Sequence, residues 1–397
     1  MLEGIKVVEY ATYMAAPGAG CILSDWGAEV IKIEPPNGDP IRQFFATIGS
    51  DISDNPVFDF DNRGKKSVVV DTSKPEGVEI VKKLIADADV FLTNVRPGGL
   101  ERSGLDYESL KKLNPGLVYC TLTGYGLEGP DKDRPGFDIA SFWSRAGLAK
   151  LFPPKGMDPF PLRTAFGDHV TSIAASSAIN AALVKKFRTG EGQLVEASLL
   201  RTGLYTIGSD FAIQLFFDRI ASTKSREETN PPIMNFFQTK DEKWICIVAR
   251  QGNSDWPKIC KAAGIPELAE DESLKSGKGR KAASREIVSK LDAAFGQFDK
   301  TELADRLDAE QIAWAPVQSL AEVAADPQVM ASGGIVDTPS RAGGTFRSPA
   351  SPARFPGAED GPKGPAPTMG EHTRETLAAL GMSDAEIDAL YDTGIVK

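Results

Sequence analysis

The chain has 397 residues, 45 of them basic and 55 acidic, for a formal charge of −10. That balance excludes a general binder of nucleic acid or of an anionic membrane. Two histidines, and four scattered cysteines with no C-x-x-C pair, exclude a histidine-rich metal centre, a metal ribbon and a disulfide framework.

At about 150 residues per domain, two domains are expected, each with a real core. Met1 to Lys6 enters a strand pattern directly, with no charged-then-apolar secretory layout. Lys6–Tyr10 is a first short apolar run and Val30–Ile33 a second, with the small residues Ala15 to Gly20 between them. Ser67–Val70 reads as a third strand. Ser73-Lys74-Pro75-Glu76 then matches a capping box, and Val78, Val81, Leu84 and Ile85 recur at helical spacing. Val90–Thr93 is strand, Tyr107–Leu113 helix and Leu117–Leu122 strand again. This alternation predicts an α/β, Rossmann-like large domain with a parallel sheet over 1–221. Ligands of such sheets gather at the carboxyl ends of the strands. That rule marks Ala11–Met14, Glu34–Pro36, Asp71–Thr72, Asn94–Arg96 and Thr123–Gly126.

The most apolar stretch, Ile173 to Val184, is short and broken by Ser176, Ser177 and Asn180, so no membrane span is expected and the cytoplasm is the expected address. Ser222 to Pro232 turns polar. Trp244–Val248 follows as a strand, with helices near Trp256–Ala263, Ala283–Phe295 and Thr301–Leu307, giving a smaller α+β domain over 222–328. A return connector rich in Gly, Pro and Ser, then two short helices, fill 329–397 and pack back on the large domain. The last helix is entered by the capping box Ser383-Asp384-Ala385-Glu386.

Several patterns carry chemistry, each beside a plainer reading. Gly124-Tyr-Gly-Leu-Glu-Gly129 is a literal G-x-G-x-x-G, but Pro130 to Pro135 after it is loop sequence rather than the helix a pyrophosphate needs. Glu34 ends the second strand where the ribose-binding acid of a nicotinamide enzyme would sit, although the first turn carries Pro17 and alanines instead of glycines. Arg63, Lys65 and Lys66 before the third strand, with Arg96 and Arg102 after the fourth, form either a basic rim for a phosphorylated ligand or a solvated surface. Asp168, in Phe166-Gly-Asp-His-Val170, is either an N-cap or a carboxylate nucleophile held ionised by helix N–H groups. His169 is a general base or a packing residue, His372 a cap-region residue, and the four cysteines small buried hydrophobes.

Taken together, Gly27-Ala-Glu-Val-Ile-Lys-Ile-Glu34, Asn62-Arg-Gly-Lys-Lys-Ser-Val-Val-Val-Asp71, Asn94-Val-Arg-Pro-Gly-Gly-Leu-Glu-Arg102, Gly167-Asp168, Asp326-Pro-Gln-Val329 and Gly370-Glu-His-Thr373 make the chain resemble the class III CoA-transferases. That family includes the formyl-CoA, carnitine and bile-acid CoA-transferases and the methylacyl-CoA racemases. The resemblance implies two interlocked ring-like subunits, each with a Rossmann-like large domain and a small domain joined by two linkers. It implies no bound cofactor, coenzyme A as co-substrate, and Asp168 as a nucleophile that passes through a mixed anhydride and an aspartyl-CoA thioester. It places CoA contacts at Tyr13, Met14, Ala15, Val70, Asp71, Thr72, Ser73, Asn94, Val95, Arg96 and Arg102.

The departures from the family pattern are specific. Gly136-Phe137-Asp138 stands where the racemases have Gly-His-Asp, and phenylalanine moves no proton. Asn230 to Phe237 stands where the formyl-CoA branch has its glycine flap, and Pro35 replaces a family arginine near the CoA tail. Gly124 to Asp138 is similar to the branch of anaerobic amino-acid reduction, which passes CoA to 2-hydroxy acids such as phenyllactate and hydroxyisocaproate. Aromatic and apolar residues between Phe137 and Phe152 are then acyl-pocket candidates, with a core role the alternative for each. The alternatives are a CoA-ester isomerase or methylacyl-CoA epimerase and, further off, a nicotinamide oxidoreductase.

Overall fold

The computed structural model describes residues 1–49, 55–249 and 252–397. Strands β1 (Lys6–Tyr10), β2 (Glu29–Glu34), β3 (Lys66–Val69), β4 (Val90–Thr93), β5 (Val118–Thr123) and β6 (Gln193–Ser198) form one sheet in the order β3-β2-β1-β4-β5-β6. Every pairing in it is parallel. Helices cover both faces, so central strands are buried on both sides, and β4 is buried at all four positions. The strand order reverses between β1 and β4, and the crevice outside their carboxyl ends is where such a sheet accepts a ligand.

One face is covered by the helix Ala15–Asp25, every residue of which is buried, and by the long helix Phe166–Thr189. Ala16, Ala19, Leu23, Ala175 and Ile179 join the strands in that core. Small side chains let the two helices approach closely: a Cβ on Gly18 would fall 2.6 Å from Ser172 Oγ. Ser172 Oγ also donates to the Ala15 carbonyl at 2.6 Å, tying the long helix to the first turn of the helix after β1.

The opposite face holds the helix Pro75–Ala86 and the C-terminal helices Thr373–Ala379 and Asp384–Asp392, with Val81, Ile85, Leu377, Ile387 and Val396 in one core. The C-terminal segment also covers the outer edge of β3. Thr373 Oγ1 accepts from the Val69 N–H at 3.1 Å, the Ile395 carbonyl accepts from the Asp71 N–H at 2.8 Å, and Val70 bridges Val396. An otherwise open strand edge is thereby satisfied.

The Ser383 capping box forms as the sequence implies. The Ser73 box does not. Pro75 takes the first helical position, which places Lys74 rather than Ser73 at the cap, and the Ser73 hydroxyl donates to Asp71 instead.

Met1–Lys150, Phe160–Ile220 and Ala331–Lys397 make one compact unit, and Leu151–Pro159 with Ala221–Met330 a second. The second holds an antiparallel sheet of β7 (Met234–Gln238), β8 (Trp244–Val248) and β9 (Ala313–Val317) around Phe237, Ile245, Trp256, Leu291 and Phe295. The stretch matched to a glycine flap thus runs into regular strand with Phe237 fully buried. A hairpin of β10 (Ile335–Pro339) and β11 (Thr345–Pro349) belongs to the first unit. No helix among the described residues is long and apolar enough to cross a membrane.

Candidate active site

The crevice beyond β1 and β4 is built on a fixed loop. The Asn94 side chain grips the backbone of Thr12 twice, Oδ1 accepting its N–H at 3.1 Å and Nδ2 donating to its carbonyl at 2.7 Å. Tyr13 follows in a left-handed conformation (φ 64°) that a residue with a side chain rarely adopts. Its N–H donates to Asp39 Oδ1 at 3.0 Å. Asp39 pairs through Oδ2 with the wholly buried Lys32 at 2.8 Å, and Lys32 pairs with Glu9 at 3.1 Å. Glu9 also holds the buried Lys65 at 2.8 Å. A charged network beneath the sheet end therefore maintains the strained turn that presents Tyr13.

Asp168 lies in the first turn of the Phe166–Thr189 helix but does not cap it. The cap position belongs to Ala165, left-handed at φ 62°, with no side-chain bond. Asp138 supplies the cap from a distant part of the chain: its carboxylate accepts from the Gly167 N–H at 3.3 Å and from its own neighbour Ile139 at 2.7 Å. Gly167 lets Phe142 pack against the helix start, since a Cβ there would stand 2.7 Å from the Phe142 ring. The carboxylate of Asp168 makes no hydrogen bond among the described residues. Burial, reinforced by the Asp138 charge, pushes its pKa up to about 7, while His169 pulls the other way. Burial likewise raises Asp138, against the N–H groups it accepts.

Asp168 opens on a cavity of about 770 Å³ whose wall includes Tyr13, Arg96, Phe137, Asp138 and Arg163. The Tyr13 and Phe137 rings meet edge to face, 5.5 Å apart. A second cavity of about 870 Å³ shares Val95, Arg96, Pro97 and Lys132 with the first and adds Arg102. Glu101 and Asp133 share the wall of this groove, but among the described residues no carboxylate forms an ion pair with Arg96, Arg102 or Lys132, which leaves three cations free to meet an anionic ligand. A carboxylate at one end and unpaired cations at the other suit a long ligand with an electrophilic head and an anionic tail.

Of the positions matched to CoA contacts, Tyr13, Met14, Ala15, Asn94, Val95 and Arg96 line the first cavity and Arg102 the second. Asn94 does so with its amide already committed to Thr12. Val70, Asp71, Thr72 and Ser73 are not brought to either cavity. Val70 is fully buried in the core, Thr72 shares a 2.7 Å hydrogen bond with the Tyr10 hydroxyl, and Ser73 serves Asp71.

Three members of the basic rim expected from the sequence lie elsewhere. Arg63 is buried in an ion pair with Asp25 at 2.6 Å, and Lys65 is buried against Glu9. Lys66 sits at the amino end of β3, bound to Glu29 and Glu375. Glu34 is equally unavailable to a ribose. It is buried and takes Arg42 through two bonds, Ser67 Oγ at 2.6 Å and the Asp39 N–H at 3.0 Å. Burial opposes its charge, but Arg42 and these donors outweigh that and hold it below the usual carboxylate range.

Within the acyl-pocket stretch, Phe137 and Ile139 line the cavity, whereas Phe142 and Trp143 are core. His372 accepts from the Ser67 N–H through Nδ1 at 3.2 Å, a structural bond. The sequence patterns do not indicate the cap role of Asp138, the charges of Lys132 and Arg163, which lack an acidic partner among the described residues, or the Asp61–His169 pair. A dense run of charges before Gly136 was the one visible trace.

Comparisons with known proteins agree with this architecture. The model of CoA-transferase family III matches residues 2–373. The chain is 34% identical over its full length, and that of the relative, to (R)-2-hydroxy-4-methylpentanoate CoA-transferase of Clostridioides difficile. It is 31% identical to cinnamoyl-CoA:phenyllactate CoA-transferase of Clostridium sporogenes, covering 98% of this chain and 96% of the relative. It is 33% identical to succinate–glutarate CoA-transferase of Agrobacterium fabrum, covering 96% and 95%. A CAIB/BAIF family protein from Brucella suis, 31% identical, superposes with a TM-score of 0.83 over 96% of this chain and 99% of its own. The chain belongs to CoA-transferase family III.

Proposed function

We propose that this CoA-transferase moves CoA from an acyl-CoA to an aromatic or branched 2-hydroxy acid, with Asp168 as covalent nucleophile. The observation that carries the reading is the position of Asp168, a carboxylate that, among the described residues, accepts no hydrogen bond and stands at the end of a cavity continued by three cations without an ion-pair partner. An Asp168 oxygen attacks the thioester carbonyl, the C–S bond breaks, and the electron pair leaves with CoA thiolate, giving a mixed anhydride. The thiolate then attacks the aspartyl carbonyl, releasing the donor acid and leaving an aspartyl-CoA thioester. The acceptor carboxylate repeats both steps in reverse order, which frees Asp168 and gives the new acyl-CoA. Bonds of similar energy are exchanged throughout. Arg96, Arg102 and Lys132 take the anionic end of CoA by charge-assisted hydrogen bonds.

Tyr13, Phe137 and Ile139 give the first cavity an aromatic and aliphatic wall, which supports an apolar acyl group. One observation favours a second class of acid: Arg163 lines the same cavity with no acidic partner among the described residues, a charge suited to the second carboxylate of a dicarboxylic acid.

A homodimer is part of the proposal. Tyr205 at 87%, Leu215 at 71% and Phe216 at 81% exposure leave the helices Leu199–Thr206 and Gly208–Phe217 with a large uncovered apolar surface. Light scattering of the purified protein tests that part.

The chemistry is tested by incubation with acyl-CoA alone, quenching with hydroxylamine, and peptide mass spectrometry. A hydroxamate at Asp168 is expected. Full transferase activity in Asp168→Ala overturns the reading.

A further inference from the structure

Asp61 has no task in the chemistry above. It lies near the end of the helix Pro56–Asn62 and is buried. Among the described residues the only hydrogen-bond partner of its carboxylate is the imidazole of His169, with Nε2 3.1 Å from Oδ1 and 3.4 Å from Oδ2. Lys65 is already shared by Glu9, Asn62 and the Pro17 carbonyl. A buried carboxylate persists only with a hydrogen-bonded counter-charge.

His169 occupies a position that disfavours a cation, since the first turn of a helix is the positive end of its macrodipole. The Phe60 ring meets the imidazole edge-on with centroids 5.3 Å apart, fixing its plane toward Asp61. His169 also follows Asp168 directly in the chain. The protein thus spends a buried anion on holding a cation at the one helix turn that carries the candidate nucleophile.

We propose that Asp61 and His169 form a positioning pair whose imidazolium favours the reactive, ionised form of the Asp168 carboxylate and so sets the acid limit of the reaction. This rests on Asp168 being the nucleophile, because only the ionised carboxylate attacks a thioester. Burial and the Asp138 charge both oppose that ionisation, and the Asp61 charge adds a lesser opposition of its own. His169 is the adjacent charge that favours it. Burial opposes the charge on His169 as well, but the Asp61 hydrogen bond and the three neighbouring carboxylates outweigh it and hold the imidazole above its ordinary value. The other charged groups on the cavity wall are Arg96, Lys132, Arg134 and Arg163.

The test is the pH dependence of kcat/KM for acyl-CoA in the parent protein, His169→Gln, His169→Lys and the double variant Asp61→Asn/His169→Gln. In His169→Gln the acid limb should move upward by about one pH unit, and in His169→Lys, which keeps the cation, it should stay in place. The double variant loses the opposing anion too and should move about half as far. That variant contains no orphaned charge, so it decides the matter if His169→Gln fails to fold. An unmoved limb in either His169→Gln or the double variant, with the hydroxamate still formed at Asp168, overturns the pair and leaves the nucleophile standing. Absence of that hydroxamate in the parent overturns the nucleophile instead. A His169 that merely packs would lower the rate equally at every pH.

Discussion

The Asp138 carboxylate closes the N-terminus of the helix that carries Asp168, taking the Gly167 N–H at 3.3 Å. Two carboxylates are therefore held near one helix turn in different environments. Asp138 is committed to backbone donors, while Asp168 is left facing the cavity. Pairs of this kind separate in role because one stays fixed as a charge and the other is free to react.

Replacing Asp138 by Asn keeps an oxygen for the Gly167 N–H and removes the like charge. The Asp168 carboxyl should then ionise more easily, and the acid limb of the rate profile should move to lower pH. Asp138→Ala removes the cap itself and should cost about 1 kcal/mol of stability, measurable as a lower midpoint in urea. Equal profiles for Asp138→Asn and the parent would show that the two carboxylates do not interact.

Asp168 itself should destabilise the unliganded fold at neutral pH. Its folded pKa, about 7, lies above the ordinary value of 3.8. Between those values the native state holds a proton that the unfolded chain has lost, so stability falls as pH rises. The native contribution is complete below about pH 4 and is lost by the time pH passes 7. Asp168→Asn carries no such loss. It should match the parent below pH 4 and exceed it at pH 8 by about 2 kcal/mol, a figure reduced for the partial exposure of the side chain. Urea unfolding at the two pH values gives both numbers.

The sheet was legible in the sequence because parallel strands buried on both faces leave unbroken apolar runs, as Val90–Thr93 does. The nucleophile candidate was legible because Gly167-Asp168 is local. The polar pairings were not, since charge type says nothing of burial. Arg63 and Lys65 read as a basic rim, yet each meets an acid supplied by another element, Asp25 and Glu9. Glu34 read as a free strand-end acid until Arg42, eight residues on, folded back upon it. The cap supplied by Asp138 joins positions 29 residues apart, beyond any helix-start pattern. The helix Ala15–Asp25 escaped periodicity because it is buried all round and has no polar face to alternate with.

The network under the Tyr13 turn should be unforgiving. Lys32 is wholly buried between Glu9 and Asp39. Lys32→Met would leave two carboxylates sharing too few partners and should cost about 3–5 kcal/mol. The predicted signature is a large drop in thermal midpoint that is partly recovered at acid pH, where the orphaned carboxylates are protonated. A drop of the same size at every pH would assign the cost to packing.

The groove cations should act on binding rather than on chemistry. Arg102→Gln and Lys132→Gln should each raise KM for acyl-CoA by about five-fold with kcat nearly unchanged, as expected for exposed charges losing one charge-assisted contact. The KM of the parent should climb with ionic strength, and that of the double variant should climb less. Initial rates at two salt concentrations provide the comparison.

The acyl end offers the sharpest test of substrate class, because two residues of opposite chemistry line one cavity. Phe137 supplies an aromatic face beside Tyr13, and truncation to Ala removes that face and widens the cavity. With an aryl 2-hydroxy acid as acceptor, Phe137→Ala should lower kcat/KM by about 10- to 100-fold, the range expected for lost apolar contact in a pocket. A short unbranched acid that never reaches Phe137 should be nearly indifferent. Arg163→Gln should do the reverse. It removes a charge that an aryl acid does not use and a dicarboxylic acid does, so its effect should fall on dicarboxylic acceptors alone. Competition between one acceptor of each class in a single reaction, read by mass spectrometry of the acyl-CoA products, reports both ratios together. A product ratio moved by Arg163→Gln and untouched by Phe137→Ala would transfer the substrate assignment from 2-hydroxy acids to dicarboxylic acids.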